Sequence, residues 1–321
     1  MKLGVFTVLL SQQTAEEAFR YLSSLKVQTV EIGVGGYPGD AHMKPAEMLS
    51  NPAAVTAYKD MLKKYDLEIS ALSTHTNHVH PQKEIADKAH EDFINACKLA
   101  EKFGVDTIVT FSGCPGDQPG AKYPNWVTCP WPPEFLDMLD YQWNEVLIPY
   151  WQSAVKQAAE FGIKKIALEM HPGFCVYNPN TLRKLRDAAG DAIGANFDPS
   201  HLYWQGMDPV EAIKELSDAI YHFHAKDTRM DAANVKKNGV LDVSHYGNVL
   251  DRSWVFRTVG YGHDFTEWKG IISALAAAGY DGAISIEHED SLMSVKEGLE
   301  KAISFLQELI ICEKPGEMWW A

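Results

Sequence analysis

The chain repeats one pattern from its first residues to its last: a short apolar run rich in valine and isoleucine, then a stretch with helical periodicity. Eight apolar runs occur, at Leu3–Leu10, Thr29–Val34, Glu68–Thr74, Asp106–Phe111, Lys165–Met170, Ile193–Phe197, Ile220–Ala225 and Ala283–Ile286. The helical patterns lie at Thr14–Leu25, Pro52–Tyr65, Lys83–Phe103, Leu147–Phe161, Pro209–Leu216, Thr266–Ala278 and Val295–Ile311. Because strands buried on both faces are apolar along their whole length, this alternation predicts a parallel sheet covered by helices.

Eight predicted strands that alternate with helical patterns in 321 residues predict an α/β fold of the (β/α)8 TIM-barrel class, in a single domain that spans residues 1–321. The alternative is a doubly wound open sheet. The count of eight favours the barrel, and no Gly-x-Gly-x-x-Gly fingerprint follows the first apolar run.

Two connections are long, Ser112–Glu134 after the fourth predicted strand and Thr228–Asp264 after the seventh. Both follow a strand, so both are expected at the C-terminal face, where barrels place their active sites. Long loops there are usually lids or substrate walls. The alternative is an insertion that only decorates the barrel or forms an oligomer contact.

The composition limits the class of partner. The formal net charge is −14, and an acidic surface repels a phosphate backbone, so no nucleic-acid partner is expected. The five cysteines form no Cys-x-x-Cys pair, which fits a reducing compartment. The first apolar run lacks a cleavage site, and no apolar stretch approaches the ~20 residues that span a bilayer. We therefore expect a cytoplasmic protein without a membrane partner, and a homo-oligomer is possible.

Acidic residues or histidine stand at or just past the end of the last four predicted strands: Glu169, Asp198, His224 and Glu287. Barrel strands point alternate side chains inward, so these four are expected to converge near the barrel axis. Three carboxylates would repel one another unless a cation lies among them. Three oxygen ligands and one imidazole suit one divalent ion, Mn²⁺ first and otherwise Mg²⁺, Co²⁺ or Zn²⁺. Taken singly, each acidic residue could instead cap a helix or face solvent, and His224 could be a hydrogen-bonded core histidine.

Other polar or aromatic residues near the strand ends are candidates to bind substrate. They are His201, His171, Lys226, Arg229, His75, Arg257 and Trp126. His171 and Lys226 each lie two positions after a predicted ligand, so they should face the same way as that ligand. An aromatic ring such as Trp126 can stack on the apolar face of a sugar. The alternative for each residue is that its side chain faces solvent or packs within a loop.

Several segments resemble the xylose isomerase-like barrel superfamily, whose members include ketose 3-epimerases, inosose dehydratase and isomerase, and endonuclease IV. The resembling segments are Leu168–Gly173, Phe197–His201, His222–Asp227, Gly279–Gly282 and Ser285–Glu289.

The resemblance implies that the four strand-end residues are the metal ligands and that His201 is the substrate-holding histidine of an Asp-x-x-His motif. It also places Arg229 about where the epimerases carry a substrate arginine. The chain departs from the ketose epimerases at residues 173–176, which read Gly-Phe-Cys-Val where those enzymes carry a further substrate-binding glutamate.

These observations favour a metal-dependent isomerase or epimerase that acts on a sugar, sugar phosphate or related keto-polyol through an enediolate. Glu169 and Glu287 would act as proton acceptor and donor while they hold the ion. The first alternative is a keto-inositol dehydratase, which shares the enolate step. A phosphodiesterase like endonuclease IV is a further alternative, opposed by the net charge. A non-catalytic polyol-binding protein is the fourth.

Overall fold

The eight apolar runs become the strands of one closed parallel barrel in the computed structural model, which describes residues 1–314 and 316–320. The strands within those residues are β1 (Lys2–Phe6), β2 (Thr29–Gly33), β3 (Glu68–Ser73), β4 (Thr107–Phe111), β5 (Lys165–Glu169), β6 (Ile193–Phe197), β7 (Ile220–Ala225), β8 (Asp227–Met230), β9 (Trp254–Arg257) and β10 (Ala283–Ile286). The barrel order is β1-β10-β7-β6-β5-β4-β3-β2, and β8 pairs with β9 in a separate two-stranded sheet. The predicted (β/α)8 barrel is confirmed.

Helices cover the outside of the barrel. They are α1 (Ala15–Ser24), α2 (Pro45–Ser50), α3 (Pro52–Lys64), α4 (Lys83–Phe103), α5 (Glu134–Asp140), α6 (Ile148–Ala159), α7 (Pro179–Ala189), α8 (Pro199–Tyr203), α9 (Pro209–Leu216), α10 (Ala232–Asn238), α11 (Phe265–Ala277) and α12 (Val295–Gln307). A π-helical segment, Tyr141–Leu147, joins α5 to α6. Through the described part of the chain, no helix combines the length and the apolar character that crossing a membrane requires.

Several local features of the described residues differ from the sequence patterns. The first apolar run stops being a strand at Phe6 and continues as a 3-10 helix, Thr7–Leu10. Helix α7 gave no clear signal because its buried face has few apolar residues, but Asn178 caps it by accepting a hydrogen bond from the backbone of Thr181 at 2.9 Å. The long connection after β7 contains the antiparallel hairpin β8–β9, whose strands of four residues are too short to show a clear alternation.

Successive side chains along a barrel strand point alternately into two different environments. On β5, Ile166 and Leu168 belong to the large apolar core, whereas Ala167 packs with Ala71 and Val109 in a small separate cluster. Because side chains alternate with a period of two, the residue two positions after Ala167 continues along the same inward face. That residue is Glu169, the last of β5, so the strand delivers a carboxylate at the C-terminal end of the barrel.

Candidate metal centre

The four strand-end residues meet at one point of the barrel. Glu169 ends β5, Asp198 directly follows β6, His224 lies in β7, and Glu287 directly follows β10. One potential ligand atom from each lies within 4.8 Å of the others. The side chain of Asp198 also caps α8, with Oδ1 accepting a hydrogen bond from the backbone nitrogen of Ser200 at 2.8 Å. The cap uses one oxygen of Asp198 and leaves the other, Oδ2, toward the cluster.

Two atoms of this cluster are buried without a hydrogen-bond partner among the described residues, Asp198 Oδ2 and His224 Nδ1. The Nδ1 atom lies 3.2 Å from an oxygen of Glu169 and 3.2 Å from an oxygen of Glu287, without hydrogen-bond geometry. Buried polar atoms normally have partners, so unpaired atoms that face one another suit a shared cation. The donor set fits a divalent metal.

A carboxylate outside this cluster holds His224. Glu31, on β2, is fully buried, and its Oε2 lies 2.8 Å from Nε2 of His224. Ser285 donates a hydrogen bond to the same oxygen at 2.9 Å, and Ser73 donates to the other. Glu31 thus contacts one nitrogen of the imidazole, and the other nitrogen faces the ligand cluster. Carboxylates in this position orient metal-bound histidines in proteins.

The carboxylates around His224 change the pKa of its imidazole. Burial lowers its pKa, but the charges of Glu31 and Glu287 and the contact with Glu169 outweigh that effect and raise the pKa well above its ordinary value. A metal ion that binds Nδ1 must therefore displace a proton from the ring.

Glu169 is surrounded by donors. The Nε2 atoms of His75 and His201 lie 3.1 Å and 3.2 Å from its two oxygens, and Asn196 donates a hydrogen bond to it at 3.1 Å. Burial raises the pKa of Glu169, but the contacts with His201, His224 and His75 bring it well below the usual range. Glu169 is therefore ionised in the folded protein.

Lys226 supplies the positive charge beside the cluster. Its buried Nζ lies 2.7 Å from Glu289, 3.2 Å from Glu287 and 3.8 Å from Asp198. Burial lowers the pKa of Lys226, but the charges of Glu287 and Glu289 outweigh it and keep the pKa well above the ordinary value. Lys226 therefore stays an ammonium, and its charge is balanced by carboxylates.

A cavity of about 200 Å³ opens onto the cluster. Its walls are Phe6, Val8, Tyr37, Pro38, His75, Phe111, Glu169, His171, Lys226, Glu287 and Glu289. Pockets for drug-sized ligands hold roughly 300–1,000 Å³, so this space suits a smaller molecule. We call it the catalytic cavity, after the role that we propose for it.

The structure brings some of the predicted substrate residues to this cavity and not others. His75, His171 and Lys226 line it, and His201 contacts both Glu169 and Asp198. Three other candidates are not among its walls: Arg229 is exposed on β8, Arg257 donates a hydrogen bond to Asp290 at 3.0 Å, and Trp126 lines a separate cavity of about 330 Å³.

Glu31 was not among the predicted site residues. It stands inside an apolar run, Thr29–Val34, at an inward position of a buried strand. A buried carboxylate is costly unless it is paired, so a glutamate inside such a run is a signal that could have identified it.

The family model described as xylose isomerase-like TIM barrel matches residues 19–309. An uncharacterized protein of Bacillus subtilis, YfiH, is 36% identical over 313 residues, which cover 97% of this chain and 99% of that protein. The inosose dehydratase of Clostridium botulinum is 29% identical over 163 residues, about half of each protein, at 50% of this chain and 52% of the relative.

Solved structures share the fold. An IolI protein with a bound zinc atom superposes with a TM-score of 0.66 at 16% identity, over 96% of both chains. A D-tagatose 3-epimerase-like protein superposes with a TM-score of 0.62 at 20% identity, over 96% of this chain and 98% of that chain.

Proposed function

Because the chain belongs to the xylose isomerase-like TIM-barrel family, we propose that it is a divalent-metal-dependent isomerase or epimerase of a small keto-polyol. The observation that carries this proposal is a pair of carboxylates, Glu169 and Glu287, which both line the catalytic cavity and both approach Nδ1 of His224 at 3.2 Å. They come from strands that are separated by β6 and β7 in the barrel, so they approach the cavity from different sides.

Glu169, Asp198, His224 and Glu287 are the proposed ligands. A divalent ion held there would act as a Lewis acid and stabilise the negative charge that develops on the substrate oxygens. The zinc of the IolI structure supports a divalent ion at this site, and Mn²⁺ is our first expectation.

The two glutamates have the proton-transfer role. One, as a carboxylate, takes the proton from the carbon next to the substrate carbonyl, and the electron pair of that bond forms the enediolate. The pKa of the other is lowered too, to about 2 for Glu287, so it would relay a proton from solvent to carbon, and delivery to the opposite face inverts the centre. Lys226 would contact a substrate oxygen because it lines the cavity, and His201 would do so because its buried Nε2 has no hydrogen-bond partner among the described residues.

Dehydration of a keto-inositol is the second candidate, favoured by two observations. The Clostridium botulinum relative is named an inosose dehydratase. Moreover, Phe174 stacks on Phe111 with ring centroids 4.2 Å apart, in the segment where the ketose epimerases carry a substrate glutamate. A dehydratase removes the same proton and then expels a neighbouring hydroxyl as water.

Proton NMR in deuterated buffer tests the proposal across a panel of ketoses and inososes. Solvent deuterium should enter at the carbon next to the carbonyl, and Glu169→Gln or Glu287→Gln should slow this by at least about 10²–10⁴-fold. Glu211→Gln, at an exposed pair on α9, is the control and should not change the rate. Loss of one water from the product would indicate the dehydratase. Turnover without deuterium, or a full rate in both variants, would overturn the proposal.

A further inference from the structure

A second cavity adjoins the catalytic one. It holds about 520 Å³, and its walls are His171, Tyr246, Val255, Phe256, Glu289 and Ser291. His171 and Glu289 also line the catalytic cavity, so the two spaces share two walls. The second cavity is more than twice as large as the catalytic cavity, which is more room than a small polyol needs.

The wall formed by the hairpin and the loop within it is aromatic. Phe256, on β9, is buried, and its ring stacks with that of Tyr246, with centroids 5.8 Å apart and an interplanar angle of 21°. The guanidinium carbon of Arg252 lies 4.4 Å from the centroid of the Tyr246 ring, which fixes this half-exposed side chain. Aromatic walls of this kind bind the flat or apolar face of a ring.

The inner end of this wall reaches the proposed site. The ring of Phe256 lies 4.3 Å from Nζ of Lys226 and 5.4 Å from the ring of His201. A ligand that fills the catalytic cavity and extends past Glu289 would therefore pass directly onto Phe256.

The charges where the two cavities meet disfavour the binding of an anion. No lysine or arginine lines the second cavity in the part of the chain that the structure describes. Lys226 is already paired with Glu289 at 2.7 Å and with Glu287 at 3.2 Å. Among the walls of the second cavity, a phosphate or carboxylate would therefore meet the half-exposed carboxylate of Glu289.

We propose that the second cavity is a subsite for an uncharged ring attached to the polyol, so that the substrate is a ring-bearing polyol rather than a phosphorylated sugar. The polyol part rests on the proposed function. The ring can be an aryl group or a second sugar, because both present a face that stacks on Tyr246 and Phe256.

Calorimetric titration of the metal-loaded protein tests this subsite. The probes are methyl β-D-glucoside, phenyl β-D-glucoside and the disaccharide methyl β-cellobioside, and none of these glycosides has the carbonyl that turnover requires. The phenyl glycoside or the disaccharide should bind about tenfold more tightly than the methyl glycoside, and which of them gains identifies the kind of ring. Tyr246→Ala should remove the gain and leave the Kd of the methyl glycoside unchanged, whereas Tyr246→Phe should keep the gain. Tyr123→Ala, at another exposed tyrosine, is the matched control.

Equal affinity for all three glycosides, no binding of any of them, or a gain that survives Tyr246→Ala would overturn the subsite. The proposed function fails separately, through absent deuterium exchange with free ketoses and inososes. A normal exchange rate together with no gain for either ring would therefore refute the subsite alone.

Discussion

Glu31 fixes how His224 faces the proposed metal. Its carboxylate lies 2.8 Å from Nε2 of the imidazole, which leaves Nδ1 pointing at Glu169 and Glu287. The hydroxyls of Ser73 and Ser285 donate hydrogen bonds to Glu31 in turn, so the carboxylate cannot easily rotate away. Carboxylates in this position raise the basicity of the metal-binding nitrogen and hold its ring in place.

Glu31→Gln should therefore weaken metal binding by about 10–100-fold, because the amide keeps the size of the side chain and loses its charge. Titration calorimetry of metal-free protein with Mn²⁺ or Zn²⁺ measures the change. Glu68→Gln is the control, since Glu68 lies on the neighbouring strand in an exposed pair with Lys2. An unchanged Kd in Glu31→Gln would mean that Glu31 does not support the site.

The sequence indicated the four proposed ligands because each stands at or just past the end of an apolar run. It did not indicate Glu31, which contacts His224 from a non-adjacent strand, or Asn196, which lies opposite Glu169 on the neighbouring strand. Both roles depend on which strands the fold brings together. In the same way, Arg257 looked available for substrate, but its partner Asp290 lies 33 residues away in the chain.

Among the structural elements, the hairpin β8–β9 is tied by a buried aspartate to the loop that follows it and to Trp268 of helix α11. Asp227, at the start of β8, accepts hydrogen bonds from the backbone nitrogens of Gly260, Gly262 and His263 at 3.0–3.1 Å. A β-carbon at Gly262 would lie 2.5 Å from the carbonyl oxygen of Thr228, so only glycine allows this close approach.

Asp227→Ala should lower the free energy of unfolding by about 3–5 kcal/mol, because it leaves several donors without an acceptor and breaks the contact with His263 at 2.8 Å. Urea denaturation followed by circular dichroism measures this. Asp251→Ala, at an exposed position of the same loop, should change the stability by less than about 0.5 kcal/mol. Equal losses in the two variants would show that the aspartate does not anchor the hairpin.

At the scale of the whole molecule, the barrel was predictable because its signal is repeated eight times. A single apolar run such as Ala283–Ile286 does not identify a strand by itself. Eight such runs separated by helical patterns are compatible with few folds. The hairpin was missed because its strands have four residues each, and helix α7 was missed because its buried face has few apolar residues. The expectation that the protein binds no nucleic acid stays a prediction, supported by the net charge of −14.

The metal content of the purified protein tests the account most directly. Protein prepared without chelator should contain about one divalent ion per chain by elemental analysis. Glu169→Gln and Asp198→Asn should each lose it, because each removes a charged ligand from the cluster, while Glu16→Gln, at an exposed pair with Lys64, should keep it. Full retention of the ion in both ligand variants, or protein that binds no divalent ion at all, would contradict the metal centre and the chemistry proposed from it.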